Sequence, residues 1–167
     1  CADCHQQHTV KVKVDECGSC HKTPAVKEKE DMLKIRKSKA DFDGDGNVKE
    51  GIAEEIGTLH ETLLKAIQTY GAEVAKTPIG YESHSYPYFF VDADGDGKIS
   101  GSEATRQGRY GSWTPRLLRA AYNYQYVAAD PGVYTHNPAY VIQLLHDSIE
   151  DLSSRVTVEK APGQRPG

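Results

Sequence analysis

Methionine, tryptophan and phenylalanine are scarce in this chain of 167 residues: one Met, one Trp and three Phe, against ten Tyr. Hydrophobic residues make up 38%, somewhat low for a self-sufficient core, and the tyrosines supply part of the missing bulk. No stretch of about 18 apolar residues occurs, which leaves no candidate for a membrane-spanning helix. No basic segment followed by an apolar stretch opens the chain, so any secretory leader is expected to have been removed already. Charge of one sign is lacking too. The 20 basic and 24 acidic residues leave a net charge of −4, which argues against nucleic acid as the main partner. Cysteine is missing from everything after residue 20.

The four cysteines that exist are therefore concentrated, as Cys1/Cys4 and Cys17/Cys20, and each pair is followed directly by a histidine, His5 and His21. Both stretches read C-x-x-C-H, the attachment signal for c-type haem. Two thiols add to the two vinyl groups on one edge of the porphyrin, and the adjacent imidazole supplies the proximal iron ligand. A zinc ribbon is the competing reading. Its usual spacing is a little longer, and a four-thiolate site has no use for a histidine after each pair. Plain disulfides are the third. A start at the first cysteine of a motif is an odd natural terminus, so cleavage, or residues upstream, is expected.

An iron used for electron transfer wants a sixth ligand. The single methionine, Met32, sits in a thin apolar stripe with Leu33 and Ile35 and reads as packing. Histidine is plentiful: beyond His5 and His21 stand His8, His60, His84, His136 and His146. His136 precedes Asn137-Pro138, a helix start whose proline fixes the backbone, and ranks first. His84 lies among Tyr81, Tyr86, Tyr88, Phe89 and Phe90, which look like the wall of a ring-shaped pocket. His8 is only three residues past His5. It cannot easily reach the far face of the same ring, so it would serve the second haem, or one in a neighbouring domain or subunit. His60 and His146 read as surface or packing residues.

Two Asp/Gly loops form a second constellation. Asp92 to Glu103 matches the twelve-residue calcium loop: Asp92, Asp94 and Asp96 at alternate positions, Gly97 for the turn, the Lys98 carbonyl, Ser100 at the position often bridged by water, and Glu103 as the closing acid. Carboxylates clustered this way need a cation to neutralise them. Asp41, Asp43, Asp45 and Asn47 begin the same pattern, but the twelfth position is Ile52. The closing acid must come from Glu50, the favoured candidate, or later from Glu54 or Glu55. The segment before Asp92 is not helical, so these are EF-hand-like loops rather than regular helix–loop–helix hands. In millimolar extracellular calcium they would be structural.

Periodicity completes the plan. Alternation over Thr9 to Val14 predicts a short strand. Residues 27–39 predict a short charged helix. Ile52, Ile56, Leu59, Leu63, Ile67, Tyr70 and Val74 predict a long helix over 49–75. Residues 78–91 read as irregular and aromatic. Thr114-Pro115 predicts a helix to about Ala129 that uses Leu117, Leu118, Ala121, Tyr122 and Gln125. Asn137-Pro138 opens a final helix burying Val141, Leu144, Leu145, Ile149 and Leu152. The fold class is mainly α: a small helical domain with a short hairpin or strand near the haem motifs. Residues 1–26 form a dihaem attachment segment, 27–160 a helical domain with calcium loops at 41–52 and 92–103, and 161–167 a flexible tail.

The two C-x-x-C-H motifs, the Asp-rich loops, Tyr86-Pro87-Tyr88-Phe89-Phe90 and the stretch from Trp113-Thr114-Pro115 through His136-Asn137-Pro138 to Leu152 together resemble multihaem c-type cytochromes. The likeness is to the C-terminal part of large bacterial multihaem proteins of metal-respiring or sediment-dwelling organisms, and covers most of the chain. It implies a distal ligand from His136, a His8 that ligates another haem, and more haems in the family than two. The expected function is periplasmic or extracellular electron transfer through two bis-histidine haems c, stabilised by one or two calcium ions. The partners would be redox proteins, extracellular acceptors, neighbouring haem domains or identical subunits. Two alternatives remain: a fragment or subunit of a multihaem oxidoreductase, which needs an open iron, and a module that polymerises or docks within an extracellular electron conduit.

Overall fold

The computed structural model describes residues 1–22, 25–158 and 162–167. In chain order its elements are α1 (Val14–Cys20), α2 (Lys29–Met32), α3 (Ile52–Glu73), β1 (Ile79–Tyr81), β2 (Phe89–Val91), α4 (Pro115–Ala128), α5 (Val133–His136) and α6 (Pro138–Ser153). The molecule is mainly helical with one small antiparallel sheet. Among the described residues no helix is long and apolar enough to cross a membrane.

The core forms where α3, α4 and α6 pack on one another. Ile56, Leu59, Leu63, Ile67 and Tyr70 recur every three or four residues and bury one face of α3, as the helical period requires. Opposite them, Val141, Leu145, Ile149 and Leu152 of α6 are buried, with Ile142 between two of them, while Leu144 is only half-buried. Leu63, Leu117, Leu145, Ile149 and Leu152 are fully enclosed, and each stabilises the fold by roughly 1.5–3 kcal/mol relative to exposure.

Both cap-plus-proline starts are present. Leu117 N donates to Thr114 Oγ1 (3.2 Å) at the head of α4, and Tyr140 N donates to Asn137 Oδ1 (3.4 Å) at the head of α6. The face that α4 buries differs from the expected one. Leu117, Ala120, Ala121, Tyr124 and Val127 point into the core, whereas Leu118 and Tyr122 are exposed. Residues 118, 122 and 126 lie on an adjoining stripe, turned about 100° from the buried one.

Three further expectations are corrected. The strand expected over 9–14 is not formed: only an isolated antiparallel bridge joins His5 to Val12, and α1 begins at Val14. Gln6 N donates to Lys11 O (2.9 Å) across a tight turn, which leaves the alternating valines no long partner to pair with. The sheet lies elsewhere, within the stretch expected to be irregular. Ile79, Gly80 and Tyr81 pair with Val91, Phe90 and Phe89, and the connection contains a cis Tyr86-Pro87 bond. The helix expected over 27–39 is confined to α2, capped reciprocally by Glu28 and Asp31.

Of the expected flexible tail, Ala161 lies outside the described residues. The remainder lies along the first Asp/Gly loop. Gly163 N donates to Phe42 O (2.9 Å) and Gln164 N to Asp41 O (2.6 Å). A Cβ on Gly163 would stand 2.3 Å from the Asp41 carbonyl oxygen, so the contact needs glycine. Arg165 then pairs with Asp147 and Glu150 of α6.

Candidate functional site

The first C-x-x-C-H motif folds into a tight turn, with His5 N donating to Cys1 O (2.7 Å) and Lys13 N to Cys4 O (2.8 Å). This turn leaves Val10 in the left-handed region (φ 55°), uncommon for a β-branched residue. The Val10 carbonyl accepts from His5 Nδ1 at 2.8 Å. A carbonyl only accepts, so Nδ1 carries a proton, and in the neutral ring Nε2 keeps its lone pair.

From the far end of the sequence α5 brings a second imidazole to the same place. The rings of His5 and His136 lie 6.2 Å apart, centroid to centroid, at 46°. His136 Nδ1 donates to Asp130 Oδ2 at 2.7 Å, and Gly132 N donates to the other Asp130 oxygen at 2.9 Å. Burial alone would raise the Asp130 carboxyl, but the His136 ring and the Gly132 amide hold it below the usual range. His136 therefore also presents Nε2, with a carboxylate behind it, the arrangement that orients metal-bound imidazoles and raises their basicity. Two imidazoles on opposite faces of one metal have centroids roughly 6 Å apart, given about 2 Å per metal–nitrogen bond and about 1 Å from nitrogen to ring centre. The observed pair fits that spacing. His136 stands directly ahead of Asn137, the cap of α6, as expected, and is also the last residue of the short helix α5.

The second motif lies on α1. Cys17 and His21 open into a cavity of about 420 Å³, lined also by Met32, Ile35, Phe42, Ile52, Tyr134 and Ile142 among others. Its size is that of a cofactor site, and its wall is predominantly apolar. Burial first, and the charge of Cys4 second, push the Cys17 thiol above its ordinary value. Tyr134 and Thr135 line this cavity while the next residue, His136, meets His5. The short helix α5 is thus shared by both motifs. All four cysteines are free thiols, with Cys1, Cys4 and Cys20 exposed.

The other histidines are distributed differently. His8 is exposed. The His84 side chain is 92% exposed at the hairpin tip, its Nδ1 beside Glu82 Oε1 (3.1 Å). The aromatic residues around it pack on each other instead: Tyr81 against Phe89 and Tyr124, and Phe89 edge-on to Trp113. Neither His8 nor His84 lines the cavity beside His21. His60 is stacked on Tyr124, with ring centroids 3.8 Å apart, and its Nε2 donates to Tyr124 O at 2.9 Å. His146 is only 2% exposed, and its Nε2 donates to Phe42 O at 2.8 Å. Both are packing residues.

The Asp/Gly loops share one hydrogen-bond plan. Asp41 accepts from Gly44 N (2.6 Å) and Gly46 N (2.8 Å); Asp92 accepts from Gly95 N (2.8 Å) and Gly97 N (2.9 Å). All four glycines have positive φ, from 75° to 87°, a region where glycine carries no steric penalty. Oxygens of Asp92, Asp94 and Asp96 lie within 4.8 Å of one another. So do those of Asp43, Asp45 and Glu50. Oxygens sharing one calcium at roughly 2.3–2.6 Å span at most about 5 Å. Glu50 Oε1 is buried without a hydrogen-bond partner among the described residues. Burial, then Asp45 and Asp43, raise its carboxyl above the usual value. Asn47 Nδ2 donates to its other oxygen at 3.2 Å.

In the second loop Glu103 is turned on its own loop. It accepts from Ser100 Oγ and N and from Ala93 N, which hold its carboxyl down at about 2. The Lys98 N–H is taken by Asp96 Oδ1 (2.7 Å), which leaves the Lys98 carbonyl as its backbone donor for a cation.

Sequence reading missed Asp130, which stands six residues before His136 and orients its ring. Glu55, offered by the sequence as a late closing acid, is fully buried, accepts from Phe42 N and Asp43 N and pairs with Arg36. Glu55 thus anchors the first loop to α3, and one of its oxygens also lies within 4.8 Å of oxygens of Asp41 and Asp43. Comparison with known proteins identifies no relative: no family model, no curated protein and no solved structure matches the chain.

Proposed function

We propose that this chain is an extracytoplasmic electron-transfer module carrying two covalently attached c-type haems, stabilised by calcium at its Asp/Gly loops. The observation that carries the reading is the His5–His136 pair, two imidazoles 6.2 Å apart with Nδ1 of each committed to a fixed acceptor. Cys1 and Cys4 would hold the first haem and Cys17 and Cys20 the second, with His5 and His21 as proximal ligands. His136 is the distal ligand of the first. When bound, haem supplies an iron that takes up and releases one electron. The chain's own residues fix ligand geometry, give the cavity beside Cys17 an apolar wall, and keep both motifs against α5. No bond of a substrate needs to be broken, so the module is not an enzyme. Its partners are redox proteins or extracellular acceptors. His8 and His84, both exposed, are available to haem of a neighbouring domain or subunit.

The test is His136→Ala. One iron should become partly high-spin and bind carbon monoxide when reduced, while the other haem keeps the parent spectrum. A variant indistinguishable from the parent, with no carbon monoxide bound, would overturn the assignment.

A further inference from the structure

Of the second C-x-x-C-H motif, Cys17 and His21 line the cavity beside it, which holds no further imidazole among its lining residues. His60 and His146 are committed to the Tyr124 and Phe42 carbonyls. His8 and His84 are exposed and outside this wall. Resting on the proposed haem function, we infer that Met32, which the sequence alone presents as packing, is the distal ligand of the haem attached at Cys17 and Cys20. The histidine-only ligation expected from composition then holds for the first haem and not for the second.

Three observations carry this. Met32 lines the same cavity as Cys17 and His21 and is only 6% exposed. It ends α2, whose start is fixed by the reciprocal Glu28–Asp31 cap, so its backbone is held as a ligand's must be. The remaining donors in the wall are poor ones. Arg36 is paired with Glu55, and a guanidinium is never a lone-pair donor. Lys37 is exposed. Burial first, then Cys17, push the Tyr134 phenol up, which keeps its proton on the oxygen. A thioether is neutral and soft. It enters an apolar cavity with no charge to desolvate and binds haem iron readily.

The consequence is an asymmetric pair. Replacing one imidazole by a thioether raises the potential of the iron. The site at Cys17 and Cys20 would therefore hold the electron in preference to the site clamped by His5 and His136, which gives the chain an internal direction. One electron leaves the first site and one arrives at the second, with no other bond changed.

Spectroscopy of the intact two-haem protein tests this. The oxidised parent should show the far-red sulfur-to-iron charge-transfer band, and the reduced parent a strongly upfield-shifted methionine methyl resonance. Met32→Leu keeps nearly the same volume, so packing survives. It should abolish both signals and let one reduced iron bind carbon monoxide. Met32→His should restore a low-spin iron at a lower potential. A parent with two haems but neither sulfur signal, and a leucine variant with unchanged spectra and potentials, overturns the ligand assignment while leaving the haem function standing. A chain with no haem overturns both.

Discussion

His5 and His136 are separated by most of the chain, yet each meets the other with one ring nitrogen already occupied. Neither occupation costs a charge: the Val10 carbonyl and the Asp130 carboxylate both accept. His146 shows the opposite use of an imidazole. It is enclosed by α6 and the first Asp/Gly loop, near Arg165, Asp147 and Glu150, and burial, outweighing its hydrogen bond to Phe42, lowers its pKa below the ordinary 6.5. His60 is lowered too, again mainly by burial. A group whose folded pKa is depressed stabilises the fold above its unfolded pKa, and that contribution is lost as pH falls through the folded value. The unfolding free energy should therefore be flat from pH 8 to 7 and fall as pH drops below 6.5 toward 5, by at most about 1.4 kcal/mol per pH unit per histidine, and the melting temperature should fall with it. His146→Gln, whose amide can still donate to Phe42, should remove about half of that slope in a melting series. An unchanged slope would assign the acid sensitivity elsewhere.

Elements were legible in the sequence wherever a local signal and tertiary packing agreed. Thr114-Pro115 and Asn137-Pro138 start helices because a side-chain acceptor and a fixed φ suffice there whatever packs behind. The Asp ladders of both loops were equally legible, since each turn closes on its own backbone. The alternation over Thr9 to Val14 misled because a strand needs a partner, and the adjacent turn offers only a bridge. The buried face of α4 was misassigned because Leu118 and Tyr122 extend an apolar stripe that Ala120, Ala121 and Tyr124 outcompete for close packing on α3 and α6. The Asp/Gly loops carry their own prediction. A cation that binds only the folded chain stabilises it by about 2.7 kcal/mol at a hundredfold excess over Kd. For a chain of this length that is roughly 5–11 °C per site. Excess chelator should lower the melting temperature by that order, and calcium should restore it. Melting unaffected by chelator would mean the Asp clusters are solvated turns.

Across the whole molecule, three helices make a rigid frame, and the chemistry sits at its edge where the cysteine motifs meet α5. The helical class was readable from periodicity alone. The meeting of the two motifs on one short helix was not, because it depends on where α6 places Asn137 and what precedes it. That arrangement fits the proposed conductor: the two C-x-x-C-H motifs share one structural element, and Cys1, Cys4 and Cys20 are exposed, as the proposal needs if haem edges are to be reached by a partner. The most direct measurement is the haem count of the chain purified from a host able to attach haem c, by pyridine haemochrome against protein concentration. Two haems per chain, low-spin in both oxidation states, is the predicted result. A chain with no haem, or with zinc held by the four thiols, would contradict it.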